Sequence, residues 1–299
     1  MSLMSQAGRI SNDPAERSRV RGILWRRALF LFVVGLAYCS LWPADILHFY
    51  GVYISIAVLL LFASAAWLWS ISVIVTLFFV IMISVLDYEA GWDWTTLSYH
   101  GFWTVSGFAR NLFFNGFHPV FPWLAFLLIG VWLGRHDLRN PSTRRRFMLV
   151  GAAVALLAEL ISWLLVRYLT DTATVLAPDE MRALFGREPM PPMPFFMLQT
   201  GGTAVFVITC CVGLAERFPS AFWLQPFVFT GQLALTVYIA HVVLGLGALE
   251  AFDRLRNQTF VFSISAALGF CVLALACCTL CRQRFLRGPL EWFMRKITG

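Results

Sequence analysis

Residues 113–134 read FFNGFHPVFPWLAFLLIGVWLG. The stretch opens as an aromatic turn carrying an amide, Asn115, and an imidazole, His118. It continues as an unbroken apolar run and stops at a basic loop, RHDLRNPSTRRR, residues 135–146. Pro119 and Pro122 lack backbone donors, which suits the first turn of a helix, where those N–H groups have no partners. The stretch therefore reads as a polar re-entrant approach followed by a membrane-spanning helix.

Working outward, the same composition recurs. The chain has 299 residues, 59% of them hydrophobic and 13% charged, with mean hydropathy +0.73. A soluble domain carries about twice that share of charge. An all-α polytopic transmembrane bundle is the expected fold. Eight apolar spans are read: Ala28–Trp42, Ile46–Ala65, Trp67–Leu86, Pro119–Gly134, Phe147–Leu169, Pro194–Leu214, Pro226–Leu249 and Thr259–Cys281. Most approach the ~20 residues that cross ~30 Å of hydrocarbon. The domain plan is a disordered polar tail over 1–25, a helical domain over 26–281 with an outer interfacial segment at 87–118, and an amphipathic basic tail over 282–299.

Charge sets the orientation. With the N-terminus inside, 17 of the 23 basic residues fall on the inner side and ten of the sixteen acids on the outer. That bias places both termini in the cytoplasm, and it accounts for the pI without nucleic acid. The cysteines lie in or beside apolar runs, so a disulfide framework is not expected. Cys278 and Cys281 form a lone C-x-x-C at a helix end; helix packing is the simpler reading, and no metal site is expected.

Ionisable groups inside a bilayer are costly and usually serve a site. Asp45 and His48 begin the second span, His118 begins the fourth, and His241 lies about 22 Å along the seventh. Imidazole is the natural general base near neutral pH. These four are the candidate catalytic residues, with Asp45 orienting His48 or acting itself. Asn115 and Arg110 are candidates to hold an acceptor or a developing oxyanion. Tyr238 shares the His241 face, and Gln232 and Glu159 complete the substrate-binding set. Blander roles stand beside each: an interfacial anchor for His48 and His118, an interhelical hydrogen bond for His241 and Glu159.

Several strings resemble one group of bacterial inner-membrane proteins. They are Arg26-Arg27 leading into PADILHFYGVY, then FFNGFHPVFPWLAFLLIGVWLGR, TGQLALTVYIAHVVLG and RFLRGPLEWFMRK. Together they look like the YeiB-like family, itself similar to the heparan-alpha-glucosaminide N-acetyltransferase group of integral-membrane acyltransferases. The resemblance implies a multi-pass inner-membrane protein. It implies an acyl group moving from cytosolic acyl-CoA, acetyl-CoA among them, to an extracytoplasmic sugar or glycan. It also places Asp45, His118 and His241 in family motifs. Such proteins usually begin with two further helices, the first carrying Asp-x-x-Arg-Gly, so a shortened member is expected.

Two other functions fit the same residues. A transporter or exporter would use Glu159 and His241 as protonation sites, although no inverted repeat is visible. A non-catalytic scaffold would need none of them. The expected partners are the lipid bilayer, a sugar or glycan acceptor, and a second copy of the chain in a homo-oligomer.

Overall fold

The computed structural model describes residues 13–172, 178–285 and 287–299. The chain divides after Glu216 into two compact units. Both are helical, with one two-residue antiparallel ladder in the first.

The first unit begins with α1, Pro14–Tyr38. Pro14 sits where a missing N–H costs nothing, and the Asp13 side chain accepts from the Ala15 amide at 2.9 Å. The helix thus starts well inside the stretch expected to be a disordered tail; residues 1–12 of that tail lie outside the described residues. α2, Leu47–Leu59, packs along α1. Two glycines permit that approach. A Cβ on Gly51 would lie 2.7 Å from the Ala28 carbonyl oxygen, and one on Gly35 would lie 2.8 Å from Asp45 Oδ2.

α3, Ala65–Val85, packs against α5, Val120–Leu133. Between them run β1 (Trp92–Asp93), β2 (Ser98–Tyr99) and α4 (Val105–Arg110), then a π-helical turn at Asn111–Asn115. Phe49, Tyr53, Leu68, Val75, Leu124 and Leu128 form the core of this unit. Arg135, just past α5, donates to the carbonyls of Ala63 (2.7 Å) and Leu61 (3.1 Å), which closes the end of α2. α6 (Pro141–Thr172), α7 (Pro178–Phe185) and α8 (Pro194–Arg217) complete the unit.

The second unit holds α9 (Gln225–Gln232), α10 (Ala234–Ala240), a π-helical turn at His241–Leu246 and α11 (Gly247–Ala251). α12 (Phe260–Arg284) and α13 (Pro289–Thr298) follow.

Five helical stretches are long and apolar enough to cross a bilayer: Ala65–Val85, Pro141–Leu169, Pro194–Arg217, Ala234–Ala251 and Phe260–Arg284. A sixth is completed if Val105–Asn115 and Val120–Leu133, bent by 51°, make one span. The polytopic all-helical fold is as expected, with two differences from the eight spans read above. α2 is 13 residues long, about 20 Å against ~30 Å of hydrocarbon. α1 carries five arginines between Arg17 and Arg27, so only its later turns are apolar. The stretches that do qualify expose large side chains along their length, Phe260 at 79% and Leu268 at 61% among them. Such surface suits lipid rather than water.

Candidate functional site

The site grows from the start of α2. Pro43 ends the preceding turn, and the Asp45 amide donates to the Trp42 carbonyl at 3.0 Å. Asp45 Oδ2 then accepts from the amides of Leu47 (3.0 Å) and His48 (3.3 Å). A carboxylate at a helix start is favoured by those orphan donors and by the helix dipole. The same oxygen lies 2.9 Å from His48 Nδ1. A carboxylate oxygen accepts, so Nδ1 carries the proton and the free lone pair falls on Nε2.

Both groups are shielded from solvent, Asp45 at 0% and His48 at 2% exposure. His48 Nε2 has no hydrogen-bond partner among the described residues. His48 lines a cavity of about 210 Å³ together with Ser40, Trp92, Tyr99, Phe102 and Asn111. A buried, oriented imidazole with an unused basic nitrogen beside a cavity is fitted to take a proton from a hydroxyl.

His118 belongs to the same neighbourhood. Phe49 touches both rings, with centroids 4.0 Å from His48 and 6.2 Å from His118. The His118 carbonyl accepts from the Tyr53 hydroxyl, and its ring lies 4.8 Å from Trp123. His118 Nδ1 is also without a partner among the described residues.

Asn115 and Arg110 sit nearby but are engaged. Asn115, at 0% exposure, donates through Nδ2 to the carbonyls of Tyr88 (2.8 Å) and Ala90 (2.9 Å), and its Oδ1 accepts from the Tyr99 hydroxyl at 2.7 Å. Trp92 Nε1 donates to the Asn115 carbonyl at 2.6 Å. Arg110 Nε donates to the same Tyr99 hydroxyl at 2.7 Å. The two residues therefore fix the hairpin over the cavity. Burial pushes the Tyr99 hydroxyl above its ordinary range, partly offset by the Arg110 cation and the hydrogen bonds. At the hairpin tip, hydroxyls and amides of Thr95 and Thr96 hold the Asp93 carboxyl down at about 2.

The other expected residues lie elsewhere. Glu159, on α6, is ion-paired with Arg187, in the segment after α7. His241, Tyr238 and Gln232 belong to the second unit. There His241 Nδ1 donates to the Tyr238 carbonyl at 2.5 Å, and both side chains line a cavity of about 800 Å³ with Arg254, Gln258, Phe262 and Phe270. Gln232 is exposed at the end of α9. Among the described residues, no group of three or more His, Cys, Asp or Glu is placed to hold a metal ion.

Sequence reasoning missed Gly35, Phe49, Gly51, Tyr53, Trp92, Tyr99 and Asn111. Gly35 and Gly51 had a visible signal, small residues on consecutive apolar stretches. Tyr99 and Asn111 had none, because their roles depend on where the hairpin folds back.

These features define a helical membrane protein with a shielded carboxylate–imidazole pair beside a cavity. A family model described as an acyltransferase domain (acyltransferase-3) matches residues 3–283, and the chain belongs to that family. The match begins inside the stretch read as a polar tail. Searches of curated proteins and of solved structures found no significant match.

Proposed function

We propose that this membrane acyltransferase uses Asp45–His48 as its working base and transfers an acyl group from acyl-CoA to a hydroxyl of an extracytoplasmic sugar or glycan. The observation that carries the reading is the free Nε2 of His48, buried and aligned by Asp45. Nε2 removes the proton of the acceptor hydroxyl as its oxygen attacks the thioester carbonyl. The C–O bond forms, the C–S bond breaks, and the departing thiolate takes the proton back from the imidazolium. Asp45 keeps the imidazole in the required tautomer and stabilises its cation, as in other carboxylate–imidazole pairs.

The aromatic wall from Trp92, Tyr99 and Phe102 suits the apolar faces of a sugar ring, and Ser40 and Asn111 offer polar contacts. In this reading His118, whose ring packs on the same Phe49 as His48, serves as the second imidazole for proton handling. The strings that resemble YeiB-like inner-membrane proteins support an acceptor reached from outside and a donor reached from the cytoplasm. Family membership favours transfer over transport.

The test is label transfer in inside-out membrane vesicles given radiolabelled acetyl-CoA. Label should enter the vesicle glycan fraction with wild-type chain and stay in the donor with His48→Ala. Equal incorporation by both would contradict the reading.

A further inference from the structure

The second unit holds an arrangement that acyl transfer does not use. Glu291, in the first turn of α13, reaches the break between α9 and α10. Its Oε1 accepts from the Thr236 amide at 2.9 Å and its Oε2 from the Thr236 hydroxyl at 2.5 Å. The Leu290 amide donates to that hydroxyl at 3.3 Å. Leu233, with φ −105° and ψ 23°, interrupts the helix here. The carboxylate serves one of the donors at the new helix start and complements its dipole. The fit is close: a Cβ on Gly288 would lie 2.8 Å from Thr236 Oγ1 and 3.1 Å from Leu233 Cγ. α10 then leads directly into His241.

Glu291, Met294 and Thr298 follow the spacing of one helix face, and Thr298 is fully buried. Trp292, Phe293, Arg295, Lys296 and Ile297 are exposed. The Lys296 ammonium lies 5.0 Å from the Trp292 ring centre. Aromatic and cationic side chains together are the composition of a helix lying in a headgroup layer. Five basic residues and one acid occupy positions 282–299. That acid is Glu291, which is turned onto Thr236. The outward charge is therefore wholly positive.

We propose that α13 seats on an anionic lipid surface, and that Glu291 couples this seating to α10, the helix leading into His241. Lipid holds α13 in place, α13 holds the carboxylate on Thr236, and the carboxylate holds the start of α10. Lifting α13 removes the cap.

The full chain is reconstituted in vesicles of phosphatidylcholine, with or without phosphatidylglycerol, and amide exchange is followed over 234–241 and 289–298. Phosphatidylglycerol should slow exchange in both segments. Arg295→Gln with Lys296→Gln should lower the seating equilibrium on the order of 30-fold, at about fivefold for each charge lost, and return both segments to the phosphatidylcholine rates. Glu291→Ala should keep the lipid response of α13 and lose that of α10; Thr236→Val should weaken it in the same direction. Identical exchange in the two vesicle types would overturn the lipid surface. A lipid response in α10 that survives Glu291→Ala would overturn the coupling.

Discussion

His48 has one nitrogen committed to Asp45 and one uncommitted, and this asymmetry makes it more than a buried polar group. Asp45→Asn removes the charge that stabilises the imidazolium and lets the wrong tautomer form. We expect acyl transfer to fall by about 10²–10⁴-fold, the range for losing general-base function, with the helix content retained by circular dichroism. Gly35→Ala acts on the same atoms from the other side. Its methyl would meet Asp45 Oδ2 and the His48 backbone. Overpacking of this kind costs about 1–3 kcal/mol, which thermal unfolding in detergent should register. Asp45 and His48 were legible as candidates because a charged group beside an apolar run is expensive. Their pairing followed from i, i+3 spacing at a helix start. The role of Asn115 was not legible. Its amide is consumed by the hairpin, and nothing in a linear string reveals which carbonyls will fold onto it.

The hairpin and the turn that follows it, through Phe102 and Trp103, form the element that covers the cavity. Asn115→Ala removes three side-chain hydrogen bonds and strands two carbonyls, a loss of about 3 kcal/mol. Amide exchange over 88–99 should accelerate while α3 and α5 keep their protection. The tip also carries a pH signature. The Asp93 carboxyl is held below its ordinary 3.8 in the folded hairpin. Its contribution is therefore complete above about pH 4 and disappears as pH falls toward 2. Exchange at Thr95 and Thr96 should rise over that window, and Asp93→Asn should flatten the change. The aromatic density of 87–118 was visible in the sequence. The ladder between Trp92–Asp93 and Ser98–Tyr99 was not, because two residues per strand are too few for an alternating pattern.

For the whole molecule, apolar length and charge bias made an all-helical membrane protein readable from sequence alone. Hydropathy misjudged the first two helices. α2 is apolar but short, because the chain turns from Leu60 onward and Ser64 already caps α3, and α1 carries its arginines within the helix rather than before it. The charge bias also predicts a measurable topology. Single cysteines placed at residues 140 and 299 in a cysteine-free background should react with an impermeant maleimide only after the cytoplasmic face is opened. A cysteine at residue 96 should react without that step. The acyl-transfer account itself rests on Nε2 of His48. The most direct measurement is the release of CoA thiol from acyl-CoA by purified chain in proteoliposomes loaded with a glycan acceptor, comparing wild type with His48→Gln, which keeps the polarity but cannot act as the base. The account predicts a loss of about 100-fold or more in the variant; an unchanged rate would contradict it.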